Sequence, residues 1–213
     1  MSGVEVIGLV AAIITILDGV ATVSSAIKDA NGLPRAFREV DGRLPLAKDI
    51  LESVEGVDPN ESCWSSMELT VKNCHEKADY LKKIFDAVKK TSEAPLPRRY
   101  YNAVKNLGKG KQVETLMRGI LEDVQLLAGR QSFNTATKGQ IKELADAIEV
   151  LSKMPSSVPD RYFEDSTHSN VQNIASGGKG VFNDIEGENN IQNTYMEAVT
   201  QHYGRPKSSE EEG

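Results

Sequence analysis

The sequence contains few of the residues on which most disulfide-stabilised and metal-dependent proteins depend. It has two cysteines, three histidines and one tryptophan among 213 residues, and 6% of its residues are aromatic. Cys63 and Cys74 lie eleven residues apart in what the pattern predicts to be one helix, too far for a bridge, so we expect free thiols in a reducing compartment. His75 has no further ligands at metal-site spacing, and we predict neither a metal nor a cofactor.

Catalytic and nucleic-acid-binding motifs are also missing. The Gly-Lys-Gly-Lys run at 108–111 lacks the first glycine and the hydroxyl residue of a P-loop, and it follows no predicted strand. No serine or cysteine stands at a spacing that favours a nucleophile with a histidine and a carboxylate. We therefore expect no enzyme, with a small hydrolase as the weakest alternative. The pI near 5.2 and the lack of aromatic residues among the basic ones argue against nucleic acid.

Charge is unevenly distributed along the chain. Residues 1–155 carry 21 basic and 21 acidic side chains, whereas residues 156–213 carry 4 and 10, so the net charge of −6 lies in the C-terminal part. Residues 77–111 carry 10 basic and 3 acidic side chains. A basic surface is one interpretation of that segment, and a solvated helix face is the simpler one. The composition predicts one globular domain followed by a tail.

The N-terminal segment has a single charged residue, Asp18, between Val6 and Ile27. A narrow polar stripe through Thr15, Asp18 and Thr22 recurs at helical period, which predicts a helix over about residues 4–29. Its apolar residues cover most of the circumference. They are Val6, Ile7, Leu9, Val10, Ile13, Ile14, Ile16, Leu17, Val20 and Val23.

Such a helix can be buried in two ways. It can be the central helix of a soluble bundle, or it can insert into a membrane, since residues 4–27 would extend about 36 Å against about 30 Å of hydrocarbon. Asp18 disfavours a permanent single span, whereas several copies could turn their polar stripes toward a shared aqueous lumen. The two environments are compatible with a resting and an active state. The segment lacks the basic start and the cleavage site of a signal peptide.

The rest of the first 154 residues predicts further helices separated by Gly and Pro. The second helix begins at Pro34 and runs to about Val54, with a kink or a short break predicted at Gly42 and Pro45. The third follows Pro59 with an apolar stripe from Trp64 to Val88, and others are predicted around 100–107, 113–127 and 136–153. The result is an all-α helical bundle of about five helices over residues 1–154. The Pro- and Ser-rich residues that follow predict a linker over 155–168.

Residues 169–195 are polar and rich in Gly and Asn, and a β-branched residue stands two positions before an Asn every ten residues. Alone, this composition predicts disorder. The period favours short stacked strands with Asn ladders, the arrangement of a cross-β or β-solenoid amyloid, formed on a template of the same kind. We predict an amyloid motif at 169–195 and a disordered acidic tail at 196–213. The predicted amyloid core comprises Val171, Asn173, Ile174, Val181, Phe182, Asn183, Ile185, Ile191 and Asn193.

The opening of the chain, with the strings GLPRAFREV at 32–40 and RLPLAKDIL at 43–51, resembles the SesA domain of the HeLo-like group in fungal cell-death and NLR-type immune proteins. The string NVQNIASGGKGVFNDIEGENNIQNTY at 170–195 resembles the sigma-type, HET-S-like prion-forming motif. Together the two resemblances cover most of the chain.

The resemblance implies an executioner of programmed cell death. An NLR/STAND-type receptor with a similar motif would template amyloid in residues 170–195, copies of the chain would assemble into a fibril, and the N-terminal helix would damage the lipids of the plasma membrane. The protein would be cytoplasmic at rest and at the plasma membrane on activation. The main alternative is a signalling adaptor that is recruited through the amyloid motif and binds another protein through its helical domain.

Overall fold

The computed structural model describes residues 2–27, 32–60, 63–90, 94–108, 110–130 and 136–162. Their fold is all-α, as predicted, and belongs to one compact unit, Met1–Asp165. Seven α-helices and one 3-10 helix are found in this part of the chain. They are α1 (Gly3–Ile27), α2 (Arg35–Asp41), α3 (Leu44–Glu55), α4 (Trp64–Lys89), α5 (Leu96–Leu107), α6 (Val113–Ala128), α7 (Lys138–Ser152) and the 3-10 helix Asp160–Tyr162.

Two long helices, α1 and α4, form the centre of the bundle. Helix α1 packs mainly on α4 and α3, while the other side of α4 packs on α6 and α5, and α7 covers α6. The predicted apolar stripe of α4 is entirely buried. Its members are Trp64, Met67, Val71, Cys74, Ala78, Leu81, Ile84, Phe85 and Val88.

Of the kink and the short break predicted for the second helix, the structure has the break, which separates α2 from α3. The N–H of Gly42 donates to the carbonyl of Arg38 at 3.1 Å and the N–H of Arg43 to that of Val40 at 2.9 Å, which closes α2. Pro45 lies in the first turn of α3, where no backbone donor is needed. Phe37 of α2 packs against Phe85 and against the edge of Tyr100, each with ring centroids 4.9 Å apart. Counting α2 and α3 separately and including the short α5 explains why seven helices occur where about five were predicted.

The ends of the later helices follow their sequence signals. Helix α5 stops at Gly108, whose φ of 100° is a conformation that residues with a side chain rarely adopt. Thr137 and Gln140 form a capping box at the start of α7, in which each side chain bonds the other residue's backbone N–H, at 3.2 Å and 2.9 Å.

Residues 155–162, which the sequence assigns to a linker, pack against the helical domain. Val158 is fully buried, and the Tyr162 ring stacks on Tyr101 with centroids 4.5 Å apart. We call residues 155–162 the strap. The remaining predicted linker residues, 163–168, and the predicted amyloid and acidic segments lie outside the described residues.

Candidate functional site

All ten apolar residues predicted for the N-terminal helix contribute to the core. Val6, Val10, Ile13, Ile14, Leu17, Val20 and Val23 are buried, and Ile7, Leu9 and Ile16 are half-buried and packed against the core. Helix α1 is therefore in the first of its two predicted environments, the centre of a bundle. Helix α1 is also long and apolar enough to cross a membrane, with a mean hydropathy of 2.3 over 18 residues, of which 39% are buried. Core helices of soluble proteins have the same length and composition, so these properties alone do not identify a membrane span.

The start of α1 is fixed by close backbone packing. Ser2 and Glu5 form a capping interaction, in which the N–H of Ser2 donates to Glu5 Oε2 at 2.7 Å. A Cβ on Gly3 would lie 1.9 Å from the carbonyl oxygen of Pro59 and 2.9 Å from Trp64 Cδ1. The loop before α4 is itself held by Trp64, whose Nε1 donates to the carbonyl of Asp58 at 2.9 Å. Only glycine therefore allows this approach of α1 to the loop.

The polar stripe of α1 faces outward, as predicted. Thr15 and Thr22 are exposed, and their hydroxyls donate to the carbonyls of Ala11 and Asp18 at 3.0 Å and 2.9 Å, so both are satisfied within the helix. Asp18 forms an ion pair with Lys48 of α3, and this hydrogen bond raises the pKa of Lys48 above its usual range. Among the described residues, this pair is the charged contact that joins the middle of α1 to the rest of the bundle.

The strap is held by a buried polar network on α5 and α6. The backbone N–H and the hydroxyl of Ser157 donate to the two carboxylate oxygens of Glu114, at 2.8 Å and 2.6 Å. Since the Ser157 proton is used there, the hydroxyl accepts from Tyr100, whose oxygen in turn accepts from the N–H of Val113 at 3.4 Å. Burial raises the pKa of Tyr100, which keeps the phenol protonated as a donor. Every member of the network is satisfied.

A second buried charge joins α4 to α6. Lys77 donates to Asp123 Oδ2 at 2.6 Å and to the carbonyl of Gly119 at 3.4 Å. Burial raises the pKa of Asp123, and the hydrogen bond from Lys77 opposes that rise. Cys74 is fully buried nearby, and desolvation raises the pKa of its thiol well above the usual range, which is the environment of a packing residue and not of a nucleophile.

The predicted amyloid core, from Val171 to Asn193, lies outside the described residues and stays a prediction. Sequence reasoning missed Glu114 and Asp123 because it followed apolar residues alone. Both stand at core-facing positions of the α6 stripe, and a carboxylate at such a position signals a buried partner elsewhere in the chain. In the part of the chain that the structure describes, no group of three or more His, Cys, Asp or Glu side chains could hold a metal ion.

These features define an all-α domain whose most apolar helix is its N-terminal core helix. The family model of the SesA domain, described as an N-terminal domain on NACHT NTPases and P-loop NTPases, matches residues 10–127, from α1 into α6. The match covers more than half of the chain, and the chain belongs to this family, which confirms the resemblance of its N-terminal part. No curated protein and no solved structure matches the chain.

Proposed function

We propose that this protein is an executioner of programmed cell death of the heterokaryon-incompatibility type. An NLR-type partner with a similar amyloid motif templates residues 169–195, and α1 then leaves the bundle and permeabilises the plasma membrane. The observation that carries the proposal is α1 itself, an apolar helix whose described contacts with the bundle are almost all apolar. Membership of a family that occurs on NACHT NTPases supports an NLR-type partner.

The physics of α1 supports an exchange of environments. Its buried side chains lose little when a protein core is replaced by lipid, because both exclude water from apolar surface. Asp18 costs on the order of 3 kcal/mol at the centre of a bilayer. Several copies that direct Thr15, Asp18 and Thr22 toward a common aqueous lumen avoid most of that cost. Self-assembly through the tail supplies the copies.

The strap links the C-terminal tail to the helical bundle mechanically. Residues 155–162 connect covalently to the predicted amyloid motif, and they bind α5 and α6 through Ser157, Tyr100 and Glu114. Tension on the strap when the motif joins a fibril would pull on the helices that pack against α4, the main partner of α1. On this proposal the protein has no catalytic role, is cytoplasmic at rest and acts at the plasma membrane.

The test is dye release from anionic liposomes by the full chain, with and without preformed fibrils of residues 160–213. We expect release only with seeds, and we expect Ile191→Pro to abolish it because proline removes a backbone donor from the strand ladder. Release by the unseeded chain at the same rate would contradict the templating step.

Variants of α1 must keep the resting fold. Ile13 and Leu17 are fully buried, so a charge there would test folding and not insertion. Ile16 is half-buried beside the polar stripe, and Ile16→Lys places a charge in the middle of the apolar run. We expect this variant to form fibrils and to release no dye. Ser25→Lys is the matched control, because Ser25 is exposed near the helix end, where a lysine reaches the interface.

The second candidate is a signalling adaptor, which the burial of α1 favours directly. In this case the tail recruits the chain to a receptor, α1 stays in the core, and the surface of the helical domain binds another protein. The same experiment separates the two functions. Fibrils that recruit the chain while the vesicles stay sealed would replace the executioner with the adaptor.

A further inference from the structure

The basic segment of the sequence forms a cationic surface along α5 and the end of α4. We call Lys89, Lys90, Arg98, Lys105 and Lys111 the α4–α5 cationic surface. Lys89, Lys90, Arg98 and Lys105 are exposed, and none of the four has a carboxylate partner among the described residues. This separates them from the other cations of α4, because Lys82 pairs with Asp86 and Lys83 with Asp79.

Arg99 links the end of α4 to the start of α5, the two helices that carry these charges. Arg99 donates to the carbonyls of Val88 at 3.0 Å, Ala94 at 2.7 Å, and Lys90. These bonds hold the backbone at the end of α4 against the first turn of α5, in which Arg98 is the residue before Arg99. Lys105 lies seven residues after Arg98, two turns further on the same face of α5 and about 10 Å along the axis.

The other end of the surface is built around Tyr80. The Nζ atoms of Lys111 and Lys83 lie 3.9 Å and 5.4 Å from the centre of its ring. Of the nearby carboxylates, Asp79 pairs with Lys83, and Glu76 accepts a hydrogen bond from the Tyr80 hydroxyl, which raises the pKa of Tyr80. Lys111 is therefore held against α4 by the Tyr80 ring.

We propose that the α4–α5 cationic surface binds the resting, cytoplasmic protein reversibly to the cytoplasmic face of a membrane of anionic phospholipids, without insertion of α1. Clustered lysine and arginine side chains attract such a surface, with a contribution of roughly fivefold in affinity for each cation near the lipid phosphates. The surface also carries aromatic rings at its edge, since Tyr101 lies between Arg98 and Lys105 and stacks on Tyr162, which is 36% exposed. Lysine, arginine and tyrosine together are the side chains that favour the membrane–water interface.

Charge balance argues against simple solubilisation. Residues 1–155 carry 21 basic and 21 acidic side chains, so the cluster is not part of an overall positive charge, and placing unpaired cations together on one face adds local repulsion that an anionic partner would remove. The biological role of this docking rests on the proposed function, since docking would hold α1 close to the bilayer that it permeabilises. The docking itself involves neither the tail nor the release of α1.

The experiment is sedimentation of the unseeded full chain with vesicles of 30% phosphatidylserine in phosphatidylcholine, and with vesicles of phosphatidylcholine alone. We expect binding to the anionic vesicles only, without dye release, and weaker binding at higher salt. Neutralising Arg98→Gln and Lys105→Gln together should lower the partition coefficient by about 30-fold. The control is Lys138→Gln with Lys142→Gln, which removes two exposed cations from α7 and should leave binding nearly unchanged.

Three results would overturn the inference. They are no binding of the wild-type chain to anionic vesicles, equal binding to both kinds of vesicle, and equal loss of binding in the α5 and α7 variants. Binding without seeded dye release would retain the docking surface while rejecting the executioner. The α5 variant could also fail to sediment with vesicles when unseeded and still release dye when seeded. This result would retain both the docking surface and the executioner, since a fibril supplies many weak membrane contacts at once.

Discussion

Helices α1 and α4 are nearly the same length and pack on each other, yet their exposed faces are different. Helix α4 carries nine charged side chains, from Glu68 to Lys89, and its exposed face is crossed by ion pairs such as Lys83 with Asp79 at 2.7 Å. Helix α1 carries two, Glu5 at its first turn and Asp18 near its middle. The buried face of α1 is apolar, and that of α4 is apolar apart from Lys77, which pairs with Asp123 of α6, so the difference lies mainly in what faces water.

This difference determines which helix can leave the bundle for a bilayer. Moving α4 into hydrocarbon would require nine charges to lose their hydration, at several kcal/mol for each ion. Moving α1 requires this of Asp18 alone, since Glu5 lies at the end of the helix. The resting fold thus holds α1 by apolar packing, which a bilayer can replace, and by a few polar contacts at its ends and middle, which it cannot.

The largest effect should come from the packing itself. Leu17→Ala removes a fully buried side chain of α1, and we expect the free energy of unfolding to fall by about 2–5 kcal/mol. Leu69→Ala on α4 is the matched control, because Leu69 is 69% exposed and its loss should change stability by less than about 0.5 kcal/mol. Urea unfolding of both variants measures this, and equal losses would show that α1 is not a core helix in solution.

The strap network should have the next largest effect. In Glu114→Gln an amide N–H₂ replaces one acceptor oxygen opposite the Ser157 donors, and we expect a loss of about 1–3 kcal/mol together with faster seeded dye release. Glu122→Gln on the same helix is the control, since Glu122 is exposed and its 3.6 Å pair with Arg118 contributes little. Faster dye release in both variants would show that the acceleration does not depend on the contacts between Glu114 and the strap.

The strap also shows where sequence reasoning succeeds and where it fails. The extent of α1, the break at Gly42 and the stop at Gly108 follow from local causes: helical period, proline placement and a glycine that takes a positive φ. Ser157 and Val158 gave no such signal, because a Pro- and Ser-rich run is typical of linkers. Their binding depends on Glu114, 43 residues earlier in the chain, and no local pattern encodes a partner at that distance.

Two glycines of α1 should respond to the same substitution with opposite sign. Gly3→Ala forces Cβ against the Pro59 carbonyl, and we expect a loss of about 1–3 kcal/mol as the helix start shifts. Gly8 is exposed with nothing within 4 Å of its Cβ position, so Gly8→Ala should stabilise the domain by about 0.5–1 kcal/mol. Thermal unfolding compares them, and a stabilised Gly3→Ala would mean that the start of α1 does not pack on Pro59 and Trp64.

The smallest change in stability should come from Asp18→Asn, which tests the comparison of α1 with α4 most directly. The Asp18–Lys48 pair is partly exposed, so its loss should cost less than about 1 kcal/mol. The same substitution removes the charged contact between the middle of α1 and Lys48, which α1 must lose to leave the bundle, so seeded dye release should become faster. Glu149→Gln removes a comparable exposed pair with Lys153 on α7 and should leave release unchanged. Slower release by Asp18→Asn would contradict this prediction. It would mean that the carboxylate, facing the proposed aqueous lumen, stabilises the active state by more than its pair with Lys48 stabilises the resting one.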